Sequence, residues 1–223
     1  MKSGKIFRSV LKICFSTKHF MEYIFALVFL PWVLFFIASK CNLKESIKLL
    51  YMSLPACLVG VTSMSSMVSL PLVLQVLRSR MNNPNLSNIV IPMTINIQQV
   101  GDCFFNIFIC STLFYALNGT FFSLKEFLIF LPIYAFSRFG GLGIVGGVIF
   151  FMLPLYEEYF KFNMETLSLI LALNIIFDPI ITAVNILTNI SLCILFEKVL
   201  KLGVFTFFKK SVAFNPRGKN KEI

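Results

Sequence analysis

The chain has 223 residues, 57% of them hydrophobic and only 13% charged, and it contains 27 Phe; a soluble domain carries roughly 25% charged residues, so this composition describes an integral membrane protein. The net charge of +10 does not call for nucleic acid, because seven of the 20 basic residues (Lys198, Lys201, Lys209, Lys210, Arg217, Lys219 and Lys221) follow the last apolar run. They read as a cytoplasmic tail held by the positive-inside rule and touching anionic lipid. The single histidine, His19, lies in a basic segment, which argues against His-based catalysis, and no HExxH, GxSxG or Ser/His/Asp set suggests an enzyme. The six cysteines (14, 41, 57, 103, 110 and 193) include no CxxC pair and read as buried thiols rather than disulfides or a metal site.

Backbone groups in lipid must pair internally, so the apolar runs are predicted to be helices. Residues 1–20 form a basic approach to the membrane (Lys2, Lys5, Arg8, Lys12, Lys18), and 21–203 a membrane domain. Its first predicted span, 21–40, holds the uncharged run Tyr23–Ser39 with Pro31 and Trp32, barely long enough to cross. Residues 45–80 are predicted to be a re-entrant hairpin: the uncharged stretch Leu49–Leu77 is broken by the hydroxyl-rich Thr62–Ser69 ahead of Leu70-Pro71. Such a break suits two short arms covered by protein better than a lipid-facing helix. Arg78–Ser87 reads as a turn. Residues 86–118 are predicted to be an interrupted helix, because Asn96, Gln98, Gln99, Gly101 and Asp102 knot its first third. Residues 124–160 are a second predicted hairpin: the arms Phe127–Ser137 and Val148–Tyr156 are too short to cross, and they flank Arg138 and a glycine-rich stretch at 140–147. A last helix, 165–200, precedes the basic tail 204–223.

That last helix carries the most informative pattern. Asn174, Asp178, Thr182, Asn185 and Asn189 recur at steps of 4, 4, 3 and 4, and on a helix they share an arc of about 80°. A carboxylate in such a stripe faces a bundle interior, an ion path or a substrate, although Asn and Thr in membrane helices also serve simply as interhelical glue. Asp102 reads equally well as an ion ligand or as a partner of Arg138. Ser65, Ser66 and Ser69 read as packing serines or as the contacts of a hairpin tip. The order of elements is hairpin then long helix, twice over, without a letter-by-letter repeat. Paired broken segments of this kind point to the binding site of a secondary transporter.

From about Tyr23 to Lys201 the chain resembles the C-terminal half of the dicarboxylate/amino acid:cation symporters, the glutamate-transporter-like family. The residues that carry the resemblance are Ser65-Ser66 with Leu70-Pro71 at the first hairpin tip, and Ile91-Pro92 leading into Gln98-Gln99-Val100-Gly101-Asp102, where the family usually has Asn-Met-Asp-Gly-Thr. Gly143-Ile144-Val145-Gly146 stands where Gly-Val-Pro-Gly is usual, and Asp178, Thr182 and Asn185 fall on substrate-contacting positions. Three charged positions depart. Ile181 stands where many members carry an arginine for an acidic substrate side chain, and Val100 and Asn189 stand where sodium-binding carboxylates are usual. The resemblance therefore implies an all-α membrane protein with transmembrane helices and two re-entrant helical hairpins, a partial glutamate-transporter-like core. It implies a symporter of a small amino acid or carboxylate, coupled to Na+ or H+.

The expected substrate contacts are Ser65, Ser66, Gly143, Asp178, Thr182 and Asn185. The expected cation contacts are Gln98, Asp102, Asn185 and Asn189. Coupling is expected through a cation at backbone carbonyls or a proton on Asp178 or Asp102. The expected location is the cell (inner) membrane, with a small-molecule solute and lipid as partners, and a homo-trimer or a separate N-terminal-half chain completing the assembly. The alternative reading is a truncated, non-transporting fragment or subunit that packs with another chain. Counting both hairpins as re-entrant leaves three crossings and puts the two basic ends on opposite sides, so one of them breaks the positive-inside rule.

Overall fold

A computed structural model describes residues 17–95, 97–120, 123–137 and 147–201. The described residues form eight helices in the order α1 (Thr17–Ala38), α2 (Leu43–Ser63), α3 (Leu70–Arg80), α4 (Pro84–Thr94), α5 (Val100–Asn118), α6 (Leu124–Ser137), α7 (Gly147–Phe160) and α8 (Met164–Lys201). The all-helical expectation holds. The interrupted segment breaks at Ile95–Gln99, where α4 stops and α5 begins. The first hairpin breaks at Met64–Ser69. The tip of the second hairpin, with Arg138 and Gly143, lies outside the described residues.

Local chemistry sets these boundaries. The Asn42 side chain accepts the Lys44 and Glu45 N–H groups (3.1 and 3.4 Å) and caps α2. Met64, at φ 51°, turns the chain out of α2 in the left-handed conformation while its N–H returns to the Gly60 carbonyl. Pro71 and Pro84 open α3 and α4, where a missing N–H costs nothing. Ser123 and Glu126 close a reciprocal capping box at the start of α6: the Ser123 N–H reaches Glu126 Oε2 at 2.7 Å and the Glu126 N–H reaches Ser123 Oγ at 3.3 Å.

The central element is α8. Its 38 residues extend about 57 Å at 1.5 Å per residue, well beyond a hydrocarbon core of about 30 Å. Helices α1 to α5 and α7 all pack on it, and α6 packs on α7. Two apolar clusters share this mast. One joins its N-terminal half to α5, α6 and α7 through Phe105, Ile109, Phe130, Tyr156, Ile170 and Leu173. The other joins its C-terminal half to α1 to α4 through Phe35, Leu49, Leu77, Leu86, Ile190 and Ile194. The Glu45–Arg80 ion pair (2.6 Å) brings the first turn of α2 and the last turn of α3 together. Phe130 stacks near Tyr156 and Phe160, at ring separations of 6.3 and 5.0 Å, and joins α6 to α7 in the same manner.

Among the described residues three helices are long and apolar enough to cross a membrane: α2, α5 and α8. Helices α5 and α8 fall within expected crossings, and α2 is the first arm of the expected 45–80 hairpin. The anticipated first span, 21–40, falls on α1, whose described residues include the apolar stretch Phe29–Ala38. The two helices of this first pair are unequal: α2 starts at Leu43 and runs 21 residues, whereas α3 has 11. The long arm starts early because the cap at Asn42 lets Lys44, Glu45 and Lys48 sit within the helix.

Charge is divided between the two ends. Lys40, Lys44, Lys48, Arg78, Arg80, Lys198 and Lys201 gather with Glu45 and Glu197 at the end where α8 finishes. Lys125 and Lys161 gather with Glu126, Glu157, Glu158 and Glu165 at the end where α8 starts. At the basic end the buried carboxylate of Glu197 accepts the Asn83 N–H at 2.8 Å, at the N-terminus of α4. Replacing Glu197 with Ala orphans that N–H and is expected to cost about 1–3 kcal/mol, read as a lower unfolding midpoint of the purified protein, while Glu197→Gln keeps an acceptor and most of the stability. Equal midpoints for the two variants would show that the cap contributes nothing.

Candidate functional site

The polar stripe of α8 faces inward. Asn174, Asp178, Thr182, Asn185 and Asn189 are between 3% and 8% exposed, while Ile175, Ile176 and Ile180 on the other faces are 47%, 66% and 43% exposed. The stripe meets the break between α4 and α5. Asn185 uses both ends of its amide there: Oδ1 accepts the Gly101 N–H at 2.8 Å, and Nδ2 donates to Asp102 Oδ2 at 2.7 Å. One turn on, Asn189 Nδ2 donates to the Gln98 carbonyl at 3.2 Å. The N–H of residue 101 and the carbonyl of residue 98 are backbone groups that an interrupted helix cannot satisfy alone, and α8 supplies side chains for both.

Gly101 is required by how closely the two helices approach. A Cβ there would stand 2.7 Å from the Ile181 carbonyl oxygen and 3.1 Å from Asn185 Oδ1. The two carboxyl groups, Asp102 on α5 and Asp178 on α8, are both buried. Asp178 Oδ2, Asn189 Oδ1 and both amide atoms of the Gln98 side chain are buried without a hydrogen-bond partner among the described residues. Buried polar atoms of this kind carry a cost unless a ligand, ion or water completes them.

The structure thus brings together Gln98, Asp102, Asn185 and Asn189, the four expected cation contacts. Thr182 is buried on the same stripe, and its Cγ2 lies 3.3 Å from where a Cβ on Gly60 would sit, so it faces α2. Ser65 and Ser66 are half-buried at the turn after α2. Glu45 and Leu49 share a cavity with Ile194 and Glu197, and Gly60 packs on Thr182 and Ile186. Helix α2 therefore runs antiparallel to α8, with its serine turn directed toward the level of Asp178. Gly143 lies outside the described residues. Ile181, at the departed arginine position, is 1% exposed and packs in the apolar cluster of α5 to α7.

Two residues that the sequence did not single out complete the network. Tyr156 of α7 donates its hydroxyl to Asn106 Oδ1 at 2.7 Å, and Asn106 Nδ2 donates to the Asp102 carbonyl at 2.8 Å. The available signal was Asn106 itself, an amide in an apolar run four residues after Asp102 and hence on the same helix face.

A model of the sodium:dicarboxylate symporter family matches residues 6–199. Members of that family are transporters that bind a solute and a cation, not enzymes. No curated protein and no solved structure matches the chain.

The close approach at Gly101 can be measured against the one at Gly60, where an added Cβ meets the Cδ1 end of Ile186, a methyl that can rotate away. Gly101→Ala presses on backbone and is expected to destabilise the folded protein by about 1–3 kcal/mol. Gly60→Ala is expected to be near neutral, since helix propensity favours Ala by about 1 kcal/mol. Thermal unfolding of both variants checks the order, and the reverse order would remove the tight α5–α8 contact from the account.

Proposed function

Because this chain belongs to the sodium:dicarboxylate symporter family, we propose that it carries a small amino acid or carboxylate across the cell (inner) membrane, coupled to Na+ or H+. The observation that carries the proposal is the buried, inward-facing Asp178 carboxyl with an unpartnered oxygen, set on a stripe that repairs the backbone of a broken neighbouring helix. An ionisable group in such a position marks a solute or ion path, and a break beside it supplies free carbonyls for a cation.

In this reading Asp178 meets the ammonium of an amino acid. Thr182 and Asn185 bind its carboxylate, with Asn185 exchanging its bond to Asp102 for the solute. Gln98, Asn189 and Asp102 attend the cation. The α2–α3 pair and the α6–α7 pair act as re-entrant hairpins whose tips, at Ser65-Ser66 and at Gly143, close over the solute. The shared end of α2 and α3 at the Glu45–Arg80 pair supports this for the first hairpin. The apolar burial of Ile181 speaks against solutes with an acidic side chain, because a buried anion without a partner costs several kcal/mol. The surplus of Lys and Arg at the end where α8 finishes supports a cytoplasmic position for that end.

A second reading draws on the same bonds. Asn185 and Asn189 already tie α8 to the broken helix, so the stripe can act as glue in a non-transporting membrane subunit that packs with another chain, in a trimer or with a separate N-terminal-half chain. Uptake by reconstituted vesicles separates the two. Under a Na+ or proton gradient, vesicles holding the parent protein are expected to accumulate a small amino acid or carboxylate, and Asp178→Ala is expected to retain under about a tenth of that rate, as removal of a charged contact worth 1.4 kcal/mol or more requires. Parent vesicles that accumulate none of the tested solutes favour the subunit reading, and Asp178→Ala matching an active parent moves the site elsewhere.

A further inference from the structure

At the basic end, the turn between α1 and α2, the turn between α3 and α4, and the last turns of α8 enclose a cavity of about 300 Å³. Its charged lining is Lys40, Arg80, Lys198 and Lys201 with Glu45 and Glu197. Both carboxylates are already engaged. Glu45 is paired with Arg80 at 2.6 Å, and Glu197 holds the Asn83 N–H at 2.8 Å with Lys201 at 3.6 Å. Two positive charges are left over. Lys198 donates to the Ile37 and Ala38 carbonyls at the end of α1, and Lys40, two residues beyond Ala38, lines the same cavity. Neither lysine has a carboxylate partner among the described residues.

Lys40 and Cys41 hold consecutive left-handed backbone conformations, φ 56° and 59°. Residues other than Gly, Asn and Asp avoid that region, so the turn is constrained to place Lys40 at the cavity rim. Two like charges held together without a counter-charge make a binding site for an anion. Its location selects which one. The cavity lies at the end of a helix far longer than the hydrocarbon core, beside apolar walls from Leu49 and Ile194, and so at headgroup depth. The surplus of basic residues puts this end against the leaflet richest in anionic lipid.

We infer that this cavity holds the phosphate of an anionic phospholipid, gripped between Lys40 and Lys198 and lying over the Glu45–Arg80 and Glu197–Lys201 pairs. The site is separate from the α8 stripe and does not rest on the transport reading.

The experiment uses the full chain, delipidated in detergent and titrated separately with phosphatidylglycerol, phosphatidylcholine and inorganic phosphate. Native mass spectrometry reads retained lipid and thermal unfolding reads stabilisation. Phosphatidylglycerol is expected to be retained and to raise the unfolding midpoint, with phosphatidylcholine doing neither. Lys40→Gln removes an exposed side chain without touching the cap on α1, and is expected to weaken phosphatidylglycerol binding about fivefold, the worth of one basic side chain at an anionic surface. Lys44→Gln, at the same end but outside the cavity, is expected to leave binding unchanged. Equal retention of the two lipids, equal loss in the Lys40 and Lys44 variants, or stabilisation by inorganic phosphate matching that of phosphatidylglycerol would each overturn the assignment, the last two in favour of diffuse attraction and of a free-anion site.

Discussion

The fold depends on one repair. A helix interrupted inside a membrane exposes backbone groups that water is not there to satisfy. Here the N–H of Gly101 and the carbonyl of Gln98 are met by Asn185 and Asn189 of α8. The repair fixes the register of the whole bundle, because a one-residue slip of α5 along α8 would lose both bonds and drive the Ile181 carbonyl into a side chain. It also explains why amides stand in the stripe: an amide both donates and accepts, so Asn185 can serve a backbone N–H and a carboxylate at once.

Much of this was legible in the sequence. The stripe, the hydroxyl-rich break before Pro71 and the knot around Gly101 were visible because each violates the apolar composition around it at a helical or turn-like spacing. What could not be read was pairing at a distance. Nothing in the sequence order says that Asn185 finds Asp102, or that Tyr156 reaches Asn106, since these contacts depend on how α5, α7 and α8 cross. The uncharged run Leu49–Leu77 alone marks less of α2 than the predicted range 45–80 does. Counting from the last charge places its start at Leu49, but the Asn42 cap starts the helix at Leu43, and Glu45 is neutralised across the hairpin by Arg80.

The two apolar clusters give the polar network its setting. Both use α8, one through its first half and one through its second, and the stripe passes between them. The hydrogen bonds at Gln98, Gly101 and Asp102 stand where these two bodies of packing meet.

The prolines extend that mechanical picture. Six of the eight helices contain one internally: Pro31, Pro55, Pro92, Pro132, Pro154 and Pro179. Helix α5 has none. Each internal proline withholds an N–H from the carbonyl four residues earlier and softens its helix against bending. In α8 the affected carbonyl is that of Ile175 and the soft point falls immediately after Asp178. The longest rod in the molecule is therefore weakest against flexure beside its own acid, while the one proline-free rod, α5, begins where that flexure would be felt.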